Sequence, residues 1–238
     1  MDKHCIFKKI KWLFIILIIA TATCKKDNEK PLKSDIWDID KDGIPQFAGQ
    51  NYIETEKIEK ISKFRSSVGH DYSDAFEHCR SMKHYFVPKS TTDWSWVKIY
   101  APVTGILTRV ENEWAGVKIE IASEDYPAFR FSIFHLNPVT FFAIGDTVNA
   151  GQMLGTHIGT QTMSDISVIV NDPTRQGRMV SYFDVITDAV FSEYQIHGIT
   201  SRNEMIISKE TRDANPLTCN GDTFISTDTL ENWVVLDP

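Results

Sequence analysis

The chain has 238 residues, 42% hydrophobic and 24% charged, with 32 acidic against 25 basic side chains. That length and apolar share suit one sizeable domain with an extension, or two small ones, built on a real core. A net charge of −7 argues against a nucleic-acid partner, and the sequence has no Gly-x-Ser-x-Gly elbow, phosphate-cradling glycine loop or Cys-x-x-Cys pair, so acyl-enzyme hydrolysis, nucleotide use and dithiol chemistry lack support.

Lys3, Lys8, Lys9 and Lys11 precede an apolar run from Trp12 to Ala20, followed by Thr21, Ala22 and Thr23. This is a secretory signal layout over residues 1–23, too short in its apolar part to span a bilayer comfortably. The small residues before Cys24 resemble the lipobox of bacterial lipoproteins, with Thr21 where leucine is commonest, which implies lipidation of Cys24. The polar stretch "KKDNEKPLKSD" then reads as a tether within residues 24–50, similar to those of Bacteroidetes-type lipoproteins. The expected location is exported and lipid-anchored to the outer membrane, on its periplasmic or surface face. Cys5 leaves with the signal, so Cys79 and Cys219 remain, either as a disulfide or as two unpaired thiols.

Next in the chain, Asp38, Asp40 and Asp42 alternate before Gly43. Such a loop is either a calcium site, like the acidic repeats of extracellular proteins, or a solvated turn; Gly49 stands where an EF-hand would carry its glutamate. Apolar spacing over residues 52–64 is closer to helical than to alternating, and a short helix or an irregular strand would both fit. Between Val97 and Val170, short runs rich in Val, Ile and Phe are punctuated by Gly, Pro, Asn and Asp, predicting a β-sandwich or barrel. After Pro173, "SYFDVITDAVFSEY" and "SRNEMIISKETRDA" predict helices, the second opened by a capping box. The expected architecture is therefore mainly β with C-terminal helices, α+β overall: a β domain over 51–172 and a helical extension over 173–238.

Three stretches together resemble the lysostaphin-type zinc endopeptidases that cut peptidoglycan cross-bridges. They are His70-x-x-x-Asp74, "IYAPVTGIL" from Ile99 to Leu107, and "FHL" at Phe134 to Leu136 with "GDTVNAGQMLG" following it. The resemblance covers roughly residues 64–172. It implies His70 and Asp74 as zinc ligands and His135 as a catalytic histidine. The family's closing His-x-His falls on Asp165 and Ser167, and serine is a poor zinc ligand. A third ligand would have to be Asp165, or His78, His84 or His157. The insertion from Phe76 to Phe86 carries Arg80, Lys83 and His84 as candidate substrate-binding groups.

The resemblance thus implies a degenerate zinc-peptidase-like domain serving as a binding or regulatory module toward peptidoglycan or an envelope protein. The alternatives are an active zinc endopeptidase with an unusual third ligand, and a surface lipoprotein binding carbohydrate or protein.

Overall fold

A computed structural model describes residues 33–238, which form one compact unit. The expected signal peptide, the expected lipidation site Cys24 and the first part of the expected tether lie outside the described residues.

The strands in chain order are β1 (Ile58–Ser62), β2 (His84–Pro88), β3 (Lys98–Tyr100), β4 (Gly105–Glu113), β5 (Gly116–Ser123) and β6 (Phe129–Pro138). They continue with β7 (Thr147–Val148), β8 (Met153–His157), β9 (Ser164–Asn171), β10 (Gln176–Val180), β11 (Cys219–Asn220), β12 (Thr223–Phe224) and β13 (Trp233–Val235). Apart from the β11–β12 hairpin, they join an 11-stranded antiparallel sheet whose main path runs β13-β1-β2-β9-β6-β5-β4-β7. β3 pairs with β8, β8 also with β6, and β10 with β9.

β9 explains the layering. Ile166, Val168 and Val170 alternate with Asp165 and Ser167, so one face of the strand enters the hydrophobic core and the other carries polar groups. Both faces are buried: Asp165 and Ser167 are as enclosed as the isoleucine and valines. A strand that hides polar side chains needs partners for them close by.

Residues 52–64, for which the spacing left a short helix and an irregular strand open, form a 3-10 turn, Thr55–Lys57, leading into the bulged strand β1. A bulge between Ile58 and Lys60 places Ile58 and Ile61 on the same buried side, so a three-residue spacing arises within a strand. The C-terminal segment contains helices α2 (Tyr182–Val185), α3 (Asp188–Gln195) and α4 (Lys209–Ala214), yet it also returns strands to the sheet. β10 pairs with β9, and β13 lies on β1 with Lys60 opposite Val235. The capping-box segment forms a 3-10 turn, Arg202–Met205, whose Glu204 carboxylate accepts the Ser201 N–H.

From Lys33 onward the expected tether is folded. Trp37 packs edge-on against Tyr126, ring centres 5.3 Å apart, and Ile39 and Ala48 are buried in the core. The acidic stretch, open in the sequence between a calcium site and a solvated turn, forms a single-turn helix, α1 (Ile39–Asp42). Asp38 caps it by accepting the Lys41 N–H, while Asp40 turns to Arg178 at 2.7 Å. The three carboxylates diverge, and no calcium cage forms from them.

A disulfide joins Cys79 to Cys219, Cα atoms 5.7 Å apart, and ties the 70–79 loop to the β11–β12 hairpin. The backbone bond from Asp71 N–H to Asp222 C=O reinforces the same junction. Because the bridge spans 140 residues, Cys219→Ser should cost about 2–4 kcal/mol in urea denaturation. A variant as stable as the parent would mean the junction holds without it.

Candidate ligand-binding cleft

Where β6 leaves β9, the sheet opens. Ile133 is the last β6 residue opposite β9, and from Leu136 onward the strand pairs with β8. Between them His135 takes a left-handed conformation, φ 61°, while β5 skips a step in register against β6 between Val117 and Ile119. This is a bulge that re-aims Phe134 and His135, and it leaves a cleft of about 610 Å³.

The floor is charged. Lys83, just ahead of β2, places Nζ 2.8 Å from Asp165 Oδ2, with both side chains almost fully buried. The β2–β9 register sets Tyr85 opposite Asp165 and so brings Lys83, two residues earlier, alongside the same stretch of β9. Around the ammonium stand the rings of Phe134 and Tyr72, 3.6 and 4.2 Å from Nζ to ring centre. Aromatic faces stabilise a cation, most strongly when it is desolvated. His135 Nε2 lies 3.5 Å from the other oxygen of Asp165, and its Nδ1 is 2.9 Å from the Ala115 carbonyl, which orients the ring.

The walls are aromatic. Tyr72, Tyr85, Phe134 and Trp114 line the cleft with His70, Lys118 and Glu113. Trp114 sits on the two-residue turn between β4 and β5 and is 79% exposed, its ring meeting His135 edge-on. Gly116 closes that turn at φ 84°; a Cβ there would lie 2.6 Å from the Leu136 carbonyl oxygen, so only glycine brings the hairpin tip down onto β6. At the opposite wall, a Cβ on Gly69 would collide with the Tyr85 hydroxyl at 2.3 Å. Burial pushes the Tyr72 and Tyr85 phenols upward, keeping both neutral.

No family model matches the sequence, and comparison with curated proteins finds no match. Among solved structures the chain is similar to Csd3 of Helicobacter pylori, at 16% identity and a TM-score of 0.43 over 60% of this chain and 34% of that one. It is also similar to a chain of the SpoIIQ–SpoIIIAH pore-forming complex, at 13% identity and a TM-score of 0.43 over 62% and 96%. A third is a zinc-containing peptidase from Vibrio cholerae, at 16% identity and a TM-score of 0.39 over 60% and 41%. The chain thus spans well under half the length of Csd3 and of the peptidase. These are distant likenesses of fold, and the chemistry of the cleft is read from its own side chains.

Those side chains do not fit a zinc ion. His70 lines the cleft with its Nδ1 2.9 Å from the Asp71 carbonyl, an arrangement that by itself is compatible with a metal on Nε2, so the misfit lies with its expected partner. Asp74 is spent on the backbone: Oδ1 accepts the N–H groups of Phe76 and Glu77, and Oδ2 accepts that of Met179. The expected extended segment is instead a looped one, cross-linked at Cys79, so the pair's four-residue spacing does not bring it onto one strand face. Among the described residues no group of three or more His, Cys, Asp or Glu side chains could hold a metal. Asp165, weighed as a replacement ligand, is neutralised by Lys83.

Of the insertion's three candidate substrate-binding groups, only Lys83 reaches the cleft. Arg80 is buried between Glu77, at 2.8 Å, and Asp213, at 3.0 Å. His84 is enclosed behind β2, its Nδ1 2.8 Å from the Ser62 carbonyl and its Nε2 2.8 Å from the Ser181 hydroxyl. Neither can touch a ligand in the cleft. Trp114, Tyr72 and Lys118 are functional candidates that motif reading passes over; a tryptophan in a predicted turn is the signal that could have found the first.

Proposed function

We propose that this is an exported, lipid-anchored envelope protein whose zinc-peptidase-like domain binds a cell-wall ligand and does not hydrolyse it. The reading rests on one observation, the Lys83 ammonium held by Asp165 and the rings of Phe134 and Tyr72 in the cleft beside His135. A fixed monovalent cation there satisfies the buried carboxylate and repels a metal ion. It also leaves His135 without a metal-bound water to deprotonate.

Binding is what the remaining surface favours. Trp114 offers an exposed ring for a sugar or peptide face, and Lys118 brings a cation to the same cleft. The ligand class we assign is a peptidoglycan fragment, with sugar or peptide groups lying between Trp114 and Tyr72.

The test combines metal analysis with calorimetry on soluble muropeptides. The purified protein should carry no stoichiometric zinc, and neither zinc nor a chelator should move its melting temperature. Muropeptides should bind and remain uncleaved, with Trp114→Ala weakening affinity at least about tenfold, the scale of a lost aromatic anchor. Stoichiometric zinc that disappears in His70→Ala, or cleaved cross-links, would replace this reading with the hydrolytic one. Intact zinc-free protein that ignores muropeptides would shift the ligand to another envelope molecule.

A further inference from the structure

We infer that the tip of the β4–β5 hairpin reads a zwitterionic α-amino-acid head group on the ligand, Lys118 taking its carboxylate and Glu113 its ammonium. The inference rests on the binding reading above and names the part of a cell-wall peptide that the cleft selects.

Strand pairing places the two charges. Glu111 lies opposite Lys118, and Glu113 opposite Gly116, in the regular part of the hairpin. Residues two apart on a strand share a face, as do directly opposed ones, so Lys118 and Glu113 stand on one face as diagonal neighbours, about 7–8 Å apart. Both line the cleft, and so does Trp114, the residue after Glu113. Burial above all pushes the Tyr72 phenol up, and the charge of Glu113 adds to the push, so this carboxylate is felt at the aromatic wall.

Neither charge is answered within the protein. The Lys118 side chain is only 10% exposed, and its ammonium lies 4.9 Å from the centre of the Phe134 ring. The nearest carboxylate oxygen, on Glu111, is 3.9 Å away, outside hydrogen-bonding range, and Glu111 has a second cation in Arg109 at 3.5 Å. Among the described residues no hydrogen bond reaches the Lys118 ammonium, and neither a hydrogen bond nor an ion pair reaches the Glu113 carboxylate. An enclosed ammonium carries three donors and is costly to leave unmatched. The hairpin tip therefore sets a cation lacking an acceptor beside an anion lacking a donor.

The ligand chemistry follows from that pair. A carboxylate alone would be repelled by Glu113, and an ammonium alone by Lys118. A group bearing both charges on one carbon answers both, and it adds no net charge above a floor that Lys83 and Asp165 already make neutral. Charge-assisted hydrogen bonds at the two ends fix its direction, and the chain leading away from it lies on the exposed Trp114 ring. In a peptide such a head occurs where a diamino acid is joined through one end and leaves the other free.

The experiment is calorimetry on the full chain in neutral detergent, with a soluble muropeptide whose stem carries a diamino acid with a free head. Three modified forms are compared with it: head ammonium acetylated, head carboxylate amidated, and the stem's C-terminal carboxylate amidated. The first two should each bind at least about tenfold more weakly, and the third as the unmodified form does. Lys118→Met should lose the discrimination against the amidated head and keep that against the acetylated one, Glu113→Gln should do the reverse, and Lys118→Arg should keep both. Four forms that bind equally to the parent protein would overturn this inference and leave the binding reading standing. So would discriminations that both survive in Lys118→Met and in Glu113→Gln, or a preference that follows the stem's C-terminal carboxylate. Failure of every form to bind would remove both readings.

Discussion

Replacing Lys83 with methionine is expected to cost about 3–5 kcal/mol of folding stability, the scale of removing one partner from a buried ion pair. Methionine keeps the length of the side chain, so packing against Phe134 and Tyr72 changes little. What changes is Asp165. Its carboxylate, fully buried on β9, loses the one cation that, among the described residues, lies within hydrogen-bonding distance, with His135 at 3.5 Å left as a distant neighbour. An isolated carboxylate in that position must either take up a proton or drag water into the sheet, and both weaken the native state.

The companion variant, Lys83→Met with Asp165→Leu, removes both charges at once and should recover most of the loss. Urea denaturation of the three proteins closes the double-mutant cycle. A single-variant cost below about 1 kcal/mol would place the pair in the class of solvated surface contacts. The built-in cation would then no longer explain the polar face of β9.

How far the sequence foretells this arrangement varies from element to element. The β-rich middle was legible because Val, Ile and Phe cluster between turn residues, and "VKIEI" alternates as a half-buried strand must. Residues 58–61 stay ambiguous between helix and strand in the sequence because a bulge imitates a helical spacing, and period alone does not separate the two. The motif residues His70 and His135 do come to one cleft. Asp74 does not serve there, since its carboxylate is consumed by three backbone N–H groups in a loop whose path depends on the Cys79 bridge.

Lys83 was visible only as one basic residue in a crowded insertion. An aspartate in the apolar run "SDISVIV" announces that a partner is needed. Identifying the partner takes the pairing of β2 with β9, a long-range register that no local pattern encodes. The same holds for β10 and β13, which lie outside the two stretches whose spacing predicts helix and are placed by their pairing with β9 and β1.

Acid should destabilise the protein in a window set by two buried histidines. Burial pulls the imidazoles of His84 and His157 from 6.5 down to about 4, outweighing the backbone hydrogen bonds that oppose it. In the unfolded chain both titrate near 6.5, so between about pH 6.5 and 4 the unfolded state binds protons that the native state refuses, and stability falls as pH falls. Each histidine contributes about 3 kcal/mol over the whole window, at roughly 1.4 kcal/mol for every tenfold loss of proton affinity on folding. Above the window the contribution is complete and pH has no further effect through these groups.

The geometry at His84 gives the reason in atoms. The neutral ring donates from Nδ1 to the Ser62 carbonyl and accepts at Nε2 from the Ser181 hydroxyl, whose oxygen also receives the Phe183 N–H. A second ring proton would face that hydroxyl donor head-on. Urea midpoints measured from about pH 7.5 to 4 should therefore fall, the drop being moderated by Asp184, whose carboxyl is lifted by burial to about 6 so that the folded state takes up a proton there that the unfolded chain does not; His84→Gln, though less stable at neutral pH, should flatten the profile. Midpoints that stay level through the window would mean that the imidazoles accept protons in the folded protein, and a neutral, enclosed His84 would be ruled out. A separate loss should follow at lower pH. Burial by itself would raise Asp228, but the guanidinium of Arg212, gripping it at 2.8 and 3.1 Å, is the first of the opposing interactions that hold it down at about 2. That ion pair's contribution is intact above about pH 3.8 and fades as the pH approaches 2, so the histidine and carboxylate phases of acid unfolding should be resolvable by pH alone.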